Sequence, residues 1–382
     1  MSSESIKPTA IDIFSGAGGI TCALKDAGFN VLCGIELDEV IAESYKLNYS
    51  SKIIINDIRK VTLEDLISAC GVTPGELDLL AGCPPCQGFS KQNVKKGKKD
   101  LRNYLVFQYY RMVRLLKPKY IFMENVPGIQ RHKYIFDKFI ELLETGWGRK
   151  DRPLYYVHYD VVNAADYGVP QNRLRFVLIG KRRDIALNES EAESIFAKPT
   201  HINPELLTED CGLKKWVTLK ETISHLKKIK AGETCKEDKL HRAANLSELN
   251  LLRMKYTPKN GGSRTDWPQT VRNDKGEQIE LWLKCHKKRG VGYKDVYGRM
   301  DYNKVAPTLT GGCCTISKGR FGHPVEDRAI SLREAALIQT FPPDYKFTGS
   351  FGKIALQIGN AVPVKMGRTF FECIRKDIEK DV

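Results

Sequence analysis

The sequence lacks the features that place a protein in a membrane or outside the cell. No run of about 18 apolar residues occurs, so no membrane-spanning helix is expected. The first residues do not form a basic segment followed by an apolar one, which argues against secretion. The 11 cysteines have no regular spacing, as is typical of a reducing compartment and not of a disulfide-built domain. We therefore expect a cytoplasmic protein.

Acidic residues are too few to balance the basic ones. The 61 lysines and arginines exceed the 46 aspartates and glutamates by 15. Residues 211–320 hold 24 basic and 11 acidic residues, so this stretch carries 13 of those excess charges. A second basic cluster extends from Lys91 to Arg102. Clustered cations favour binding to a nucleic-acid backbone, although lysine-rich solvated surfaces are also common.

In the first half of the chain, short apolar runs alternate with amphipathic segments. The apolar runs predict strands at residues 10–14, 31–35, 53–55, 77–81, 120–123, 155–162 and 175–180. The amphipathic segments predict helices at residues 20–27, 40–47 and 104–116. Such alternation is typical of an α/β fold with a parallel sheet and helices on both faces.

The length of 382 residues is more than one compact core usually holds. The alternating pattern decays after Gly180, and helical spacing returns at residues 332–338 and 364–378. We expect residues 1–185 and 329–382 to form one domain. Residues 186–328 would form a smaller, irregular, β-containing domain.

A glycine-rich turn and two acidic residues follow the first three predicted strands. Phe14, Gly16, Gly18 and Gly19 lie between the first strand and the first helix, where a ligand can approach the backbone. Glu36 and Asp57 end the next two strands, where carboxylates commonly bind ribose hydroxyls or an adenine amine. The turn does not match the dinucleotide fingerprint. Together these residues predict a pocket for an adenosine-containing cofactor, while each acid alone could be a helix cap or a surface charge.

Cys86 follows the fourth predicted strand directly after two prolines that stiffen the approach. A cysteine held at a strand end could be a nucleophile, a core residue, or half of a redox pair with Cys83. Glu124 ends the fifth predicted strand and could serve as an acid. Arg173 and Arg175 are two residues apart in a predicted strand and would point to the same face.

The order of these motifs resembles the cytosine-5 DNA methyltransferases, and the resemblance covers most of the chain. The matching segments are Phe14-Ser15-Gly16-Ala17-Gly18-Gly19, Glu36, Asn56-Asp57-Ile58, Pro84-Pro85-Cys86-Gln87, Glu124-Asn125-Val126, Gln171-x-Arg173-x-Arg175, Arg333-Glu334-Ala335-Ala336 and Gln357-Ile358-Gly359-Asn360-Ala361-Val362-Pro363. The resemblance implies a Rossmann-like methyltransferase sheet, with residues 186–328 as the target-recognition domain. It also implies S-adenosylmethionine as methyl donor, a cytosine flipped out of double-stranded DNA as acceptor, and no metal.

The resemblance assigns roles to individual residues. Cys86 would add to carbon 6 of cytosine, Glu124 would hold ring nitrogen 3 and the exocyclic amine, and Arg173 and Arg175 would steady the base and the acid. The cofactor contacts implied are Phe14, Gly16, Gly18, Gly19, Glu36, Leu37, Asp57, Ile58, Leu105 and Asn360. The implied substrate contacts are Pro85, Gln87, Ser90, Arg102, Asn125 and Thr308. Cys83 then becomes a packing residue, and the cluster from Lys91 to Arg102 a lid over the flipped base.

Within the target-recognition stretch, the candidates for guanine contacts are Arg264, Arg272, Arg289 and Arg299. The resemblance further implies a bacterial, nucleoid-associated monomer, acting alone or with an endonuclease of the same specificity. Three alternatives are a transfer-RNA cytosine-5 methyltransferase, a non-catalytic DNA-binding relative, and a dinucleotide oxidoreductase. Cys313-Cys314-Thr315 favours the first of them, whereas the intact catalytic set argues against the second.

Overall fold

The computed structural model describes residues 7–85, 101–287 and 294–380. By its internal contacts the chain divides into two compact units. The first unit comprises Met1–Tyr167, Leu174–Thr200 and Ala361–Val382. The second comprises Gly168–Arg173 and His201–Asn360. Among the described residues, no helix is both long and apolar enough to cross a bilayer.

The first unit is built on a seven-stranded sheet within the described residues. Its strands are β1 (Thr9–Ile13), β2 (Asn30–Glu36), β3 (Lys52–Ile55), β4 (Leu79–Gly82), β5 (Tyr120–Asn125), β6 (Tyr155–Asn163) and β7 (Leu174–Arg182). The spatial order is β3-β2-β1-β4-β5-β7-β6. The first five strands pair in parallel, whereas β7 is antiparallel to both β5 and β6.

The Rossmann-like α/β fold with a mostly parallel sheet is confirmed, and β7 is the strand that runs antiparallel to its neighbours. A parallel neighbour needs a crossover connection of about a dozen residues or more, usually a helix. The segment between Asn163 and Leu174 is shorter than that and contains only a 3₁₀ turn, Ala164–Tyr167. The chain therefore reverses after β6, and β7 inserts between β5 and β6.

The helices of the first unit cover both faces of this sheet. They are α1 (Gly19–Asp26), α2 (Glu39–Asn48), α3 (Leu63–Cys70), α4 (Leu105–Leu116), α5 (Lys133–Thr145), α6 (Ser190–Ser194) and α11 (Val364–Ile378). Alternate residues of β5 separate the two faces. Phe122 packs on Phe370 and Phe371 of α11, while Ile121 and Met123 belong to the core that α4 and α5 cover.

The second unit is less regular. Its elements are β8 (His201–Ile202), β9 (Lys214–Lys215), α7 (Leu219–Ile223), α8 (Glu248–Lys255), β10 (Thr270–Arg272), β11 (Gln278–Glu280), α9 (Leu332–Ile338) and α10 (Phe351–Asn360). A small apolar core contains Met254, Trp267 and Leu281. Arg328 forms a buried ion pair of 2.7 Å with Glu334, the carboxylate of which also caps α9 at Ser331.

The compact units do not divide the chain at the boundaries expected from the sequence. Residues 329–360, which the motif order grouped with the sheet, lie in the second unit. Backbone hydrogen bonds explain this grouping, because Leu332 and Arg333 donate to the carbonyls of Arg242 and Leu240. The chain returns to the sheet only with α11.

Candidate active site

The strand ends of the first unit gather several of the predicted site residues at one edge of the sheet. Because β1 to β5 are parallel, their carboxyl ends meet there. The glycine-rich turn follows β1, Glu36 ends β2, Cys83 follows β4, and Glu124 lies near the end of β5. The prediction that Glu124 lies on the strand beside the one leading to Cys86 is confirmed by the pairing of β4 with β5.

The turn after β1 has a backbone that suits glycine. Gly16 and Gly18 have φ of +56° and +94°, in the left-handed region that side chains disfavour. Phe14 shares this region with φ of +58°, although it carries a side chain. Such strained residues concentrate at functional sites. Gly19 begins α1, so the turn presents the amino end of a helix.

Glu36 ties the turn to the end of β2. Its Oε2 accepts the N–H of Gly16 at 2.9 Å, and its Oε1 accepts the N–H groups of Leu37 and Asp38 at 2.9 Å each. Burial raises the pKa of Glu36, and these three N–H groups oppose that rise. The carboxylate is thus held at the mouth of the turn. Leu37 beside it leaves 65% of its surface exposed.

The other predicted cofactor residues of the first unit surround the same edge. Asp57 follows β3 and forms an ion pair with Arg59, the hydrogen bonds of which lower its pKa to about 2. Ile58 is buried in the core, and Phe14 and Leu105 pack against that core. The structure therefore collects in one unit every predicted cofactor residue except Asn360, which ends α10 in the second unit.

Glu124 is the centre of a small polar cluster. The Arg175 Nε lies 2.7 Å from Oε1 of Glu124, and both side chains are about nine-tenths buried, with 11% and 9% exposed. The Cys83 thiol donates to Oε2 at 3.1 Å. Burial, followed by the Glu124 charge, raises the pKa of Cys83 well above its ordinary value. Cys83 is therefore a neutral thiol that contacts the predicted acid. The family resemblance implied only a packing role for it.

The segment that approaches Cys86 is anchored to β5. Asn125 is buried and donates from Nδ2 to the carbonyl of Pro84 at 3.2 Å, and Pro85 is exposed just beyond. Arg102 is also exposed. The predicted nucleophile and two substrate residues lie outside the described residues, as does nearly all of the basic lid: Cys86, Gln87, Ser90 and residues 91–100.

Arg173 does not share a strand face with Arg175, so that expectation is wrong. The strand β7 begins only at Leu174, and Arg173 belongs to the second unit. Its buried guanidinium donates to the carbonyls of Leu309 at 2.7 Å and Gly359 at 3.1 Å. Arg173 therefore joins the loop at Leu309 to the end of α10 within the second unit, and a contact with the base stays a prediction.

The second unit also contains other residues singled out from the sequence. Thr308 donates to the carbonyl of Asn172 at 2.8 Å. Arg299 is fully buried and donates to the carbonyls of Thr257 and His323, which gives it a structural role instead of the expected contact with guanine. Arg264 is buried, Arg272 is exposed, and Arg289 lies outside the described residues.

Comparisons with known proteins agree with this arrangement. The profile of the family "C-5 cytosine-specific DNA methylase" matches residues 9–376. The type II methylase M.HgiDII of Herpetosiphon aurantiacus is 36% identical, over 97% of this chain and 95% of its own. The type II methyltransferase M1.HphI of Haemophilus parahaemolyticus is 31% identical, over 96% of this chain and 87% of its own.

The fold is also found among solved structures. A protein described as a DNA modification methyltransferase encoded within an E. coli prophage superposes with a TM-score of 0.70 and 23% identity. The match covers 98% of this chain and 100% of that one. Three findings lead to one assignment: the sheet order, the polar cluster at the carboxyl edge of the sheet, and the match along nearly the whole sequence. The chain belongs to the C-5 cytosine-specific DNA methylases, the S-adenosylmethionine-dependent enzymes that methylate carbon 5 of cytosine in DNA.

Proposed function

We infer that the chain methylates a cytosine flipped out of a specific site in duplex DNA, through a covalent bond between the base and Cys86. The observation that carries this proposal is the Glu124–Arg175 ion pair of 2.7 Å, on the strand beside the one leading to Cys86. A buried carboxylate fixed by arginine offers a rigid partner for the polar edge of a base. The role given to Cys86 rests on its position in the sequence.

The carboxyl edge of the sheet suits S-adenosylmethionine. Glu36 and Asp57 supply two carboxylates for ribose hydroxyls and an adenine amine. Leu37, which lies between them in sequence, adds an exposed apolar side chain. A Cβ atom added to Gly16 would meet nothing within 4 Å, so the turn faces open space where a ligand can approach. When bound, S-adenosylmethionine supplies an electrophilic methyl group. The residues of this edge would hold and orient it.

The residues of the chain would then act on cytosine in sequence. Carbon 5 of cytosine is a weak nucleophile, so the Cys86 thiolate would first form a bond from Sγ to carbon 6. Glu124 would give a proton to ring nitrogen 3, where electron density gathers, and would accept a hydrogen bond from the exocyclic amine, while Arg175 would hold the carboxyl group in place. After carbon 5 takes the methyl group, its proton would pass to water and the electrons of the Sγ–C6 bond would return to sulfur as the double bond between carbons 5 and 6 re-forms. Nitrogen 3 would return its proton to Glu124, which restores the neutral aromatic base and frees Cys86.

The protein would act as a monomer and belong to a restriction-modification system. Two relatives that cover nearly the whole chain have names of type II modification enzymes, which supports this setting. The target-recognition role would belong to the second unit, since the stretch at 211–320 carries most of the excess positive charge. A partner endonuclease of the same specificity is part of the proposal.

Methyl transfer can be tested directly with tritiated S-adenosylmethionine. We expect label in duplex DNA, and sequencing after bisulfite treatment of DNA from an expressing host should give the target site. Cys86→Ser should remove transfer to below detection because a hydroxyl is a far weaker nucleophile than a thiolate. Cys373→Ser, at a half-buried thiol of α11, is the matched control and should keep the wild-type rate.

Two outcomes would contradict this proposal. Label that enters transfer RNA and not duplex DNA would favour the transfer-RNA methyltransferase alternative. Turnover retained in Cys86→Ser would refute the covalent step while leaving the family assignment in place.

A further inference from the structure

Cys83 is a second cysteine at the active-site edge, and the covalent mechanism does not use it. It lies one residue beyond β4 and three residues before Cys86. Its thiol donates to Oε2 of Glu124 at 3.1 Å, while Arg175 holds Oε1 at 2.7 Å. The two carboxylate oxygens therefore have different partners, one cationic and one neutral.

The protonation state of Cys83 supports its role as a donor. Burial raises the pKa of this thiol, and the Glu124 charge, the hydrogen bond to Glu124 and the Asp12 charge on β1 raise it further, while Arg175 opposes them. The sulfur thus keeps its proton at neutral pH. A neutral thiol of this kind is a poor nucleophile, which argues against a second covalent role.

The strength of this contact differs from that of the ion pair. A thiol is a weak donor, whereas a hydrogen-bonded arginine contact is strong. Arg175 can therefore fix the position of Glu124. The hydrogen bond from the Cys83 thiol orients Oε2, and a stronger donor can easily replace it. The exocyclic amine of a cytosine is a stronger donor of that kind.

We propose that Cys83 is a positioning residue. Its thiol orients Oε2 of Glu124 before the base arrives, and the base then replaces the thiol as the hydrogen-bond partner of that oxygen. This inference rests on the proposed function, because it assigns to Glu124 the task of binding cytosine. It predicts that the donor, and not the bulk of the side chain, matters at position 83.

Kinetic measurements on two variants separate these possibilities. Cys83→Ala removes the donor and should lower kcat about 3- to 10-fold, the range that corresponds to one ordinary hydrogen bond. The KM for S-adenosylmethionine should stay unchanged, since Glu36 and the turn are untouched. Cys83→Ser restores a donor and should recover most of the lost rate. Cys373→Ala is the matched control for loss of a half-buried thiol and should behave as wild type.

A spectroscopic measurement tests the contact without any turnover. The infrared difference between wild type and Cys83→Ser isolates the S–H stretch of Cys83. In a Glu124→Gln background this band should move to higher frequency, because an amide oxygen is a weaker acceptor than a carboxylate. Thermal melts of each variant would confirm that it folds.

The outcomes separate this inference from the proposed function. A wild-type kcat in Cys83→Ala, failure of Cys83→Ser to recover activity, or an S–H band that Glu124→Gln leaves in place would each overturn the role of Cys83. Absence of label in duplex DNA with wild-type enzyme would overturn the proposed function instead. The infrared band would then still decide whether Cys83 binds Glu124.

Discussion

Arg173 and Arg175 are two residues apart, yet Arg175 pairs with Glu124 whereas Arg173 donates to the carbonyls of Leu309 and Gly359. Two residues apart in a strand, they would share a face, but β7 begins between them at Leu174. Strand boundaries are set by hydrogen bonding to neighbours, which spacing alone does not reveal. Glu124 and Arg175 lie together because β5 and β7 are neighbours, and the sequence predicted their importance without that adjacency.

Asp12 should make the stability of the fold depend on pH. Its side chain is fully buried in β1, with Thr21 donating to Oδ2 from N–H and hydroxyl at 3.1 and 2.7 Å. Burial raises its pKa from 3.8 to about 7. Because the folded-state pKa is the higher one, the stability that Asp12 contributes is fully present below pH 3.8 and is lost as the pH rises through about 7.

Asp12→Asn should remove this loss, since an amide oxygen can still accept from Thr21 but does not ionise. Between pH 6 and 9 the unfolding free energy of the wild type should fall by about 1–1.5 kcal/mol more than that of the variant. Urea denaturation at both pH values measures the difference. Asp151→Asn, at a side chain that is 69% exposed, is the control and should keep the wild-type dependence. Equal pH dependence in wild type and Asp12→Asn would contradict the prediction.

Among the elements, five helices and the five parallel strands were predictable, whereas the direction of β7 was not. The helix at residues 364–378 has the bounds expected from its spacing, and the strands β1 to β5 lie within a few residues of theirs. The helices that were missed are α3, α5, α6, α7, α8 and α10. The reversal at β7 depends on the length of the connection between β6 and β7, and the alternation of apolar and amphipathic segments does not take that length into account. The carboxyl edge of the sheet was still predictable because it needs only the first five strands.

The attachment of α11 to the sheet should depend on Asp377. Its Oδ2 accepts from Lys181 Nζ and from the Tyr120 hydroxyl at 2.9 Å each. Burial favours a higher pKa for Asp377, but these partners outweigh it and lower the pKa. The stability from this group is therefore present above the unfolded-state pKa, near 3.9, and is lost only as the pH falls through the folded-state value.

Asp377→Asn should lower the unfolding free energy at pH 7 by about 1–3 kcal/mol, less than for a wholly unpaired buried charge, because Glu191 still pairs with Lys181 at 2.7 Å. Urea denaturation of the purified protein provides the value. Glu379→Gln, which breaks an exposed pair on the same helix, should cost no more than about 0.5 kcal/mol. If the unfolding free energy falls equally in the two variants, the buried contacts of Asp377 are not what attaches α11 to the sheet.

The molecule as a whole combines a regular unit with an irregular one, and only the first was well predicted. The sheet follows from repeated apolar runs, whereas the second unit depends on contacts between distant segments. Arg299 and Arg328 are fully buried in it and donate to backbone carbonyls or to Glu334. Arginines that hold loops together in this way have the same sequence signature as arginines that bind DNA. Charge therefore predicted the partner class, while individual contacts could not be assigned.

The net charge of +15 should make DNA binding steeply dependent on salt. Each phosphate neutralised contributes about −0.9 to the slope of log K against log salt, so six contacts would give a slope near −5. Fluorescence anisotropy of a labelled duplex across a salt series measures this slope. Lys214→Glu with Lys215→Glu reverses two exposed charges of β9 in the second unit, and should make the slope shallower by about 2 if both contact phosphate.

The same reversal in the first unit provides the matched control. Lys117 and Lys150 are exposed, and neither has an acidic partner in the part of the chain that the structure describes. Lys117→Glu with Lys150→Glu changes the net charge by the same amount, so any effect of overall charge alone would be equal in the two double variants. A larger loss of slope in the β9 variant would locate phosphate contacts in the second unit. Equal losses would mean that the second unit binds DNA no more closely than the rest of the surface, which would remove the charge argument for its role in target recognition.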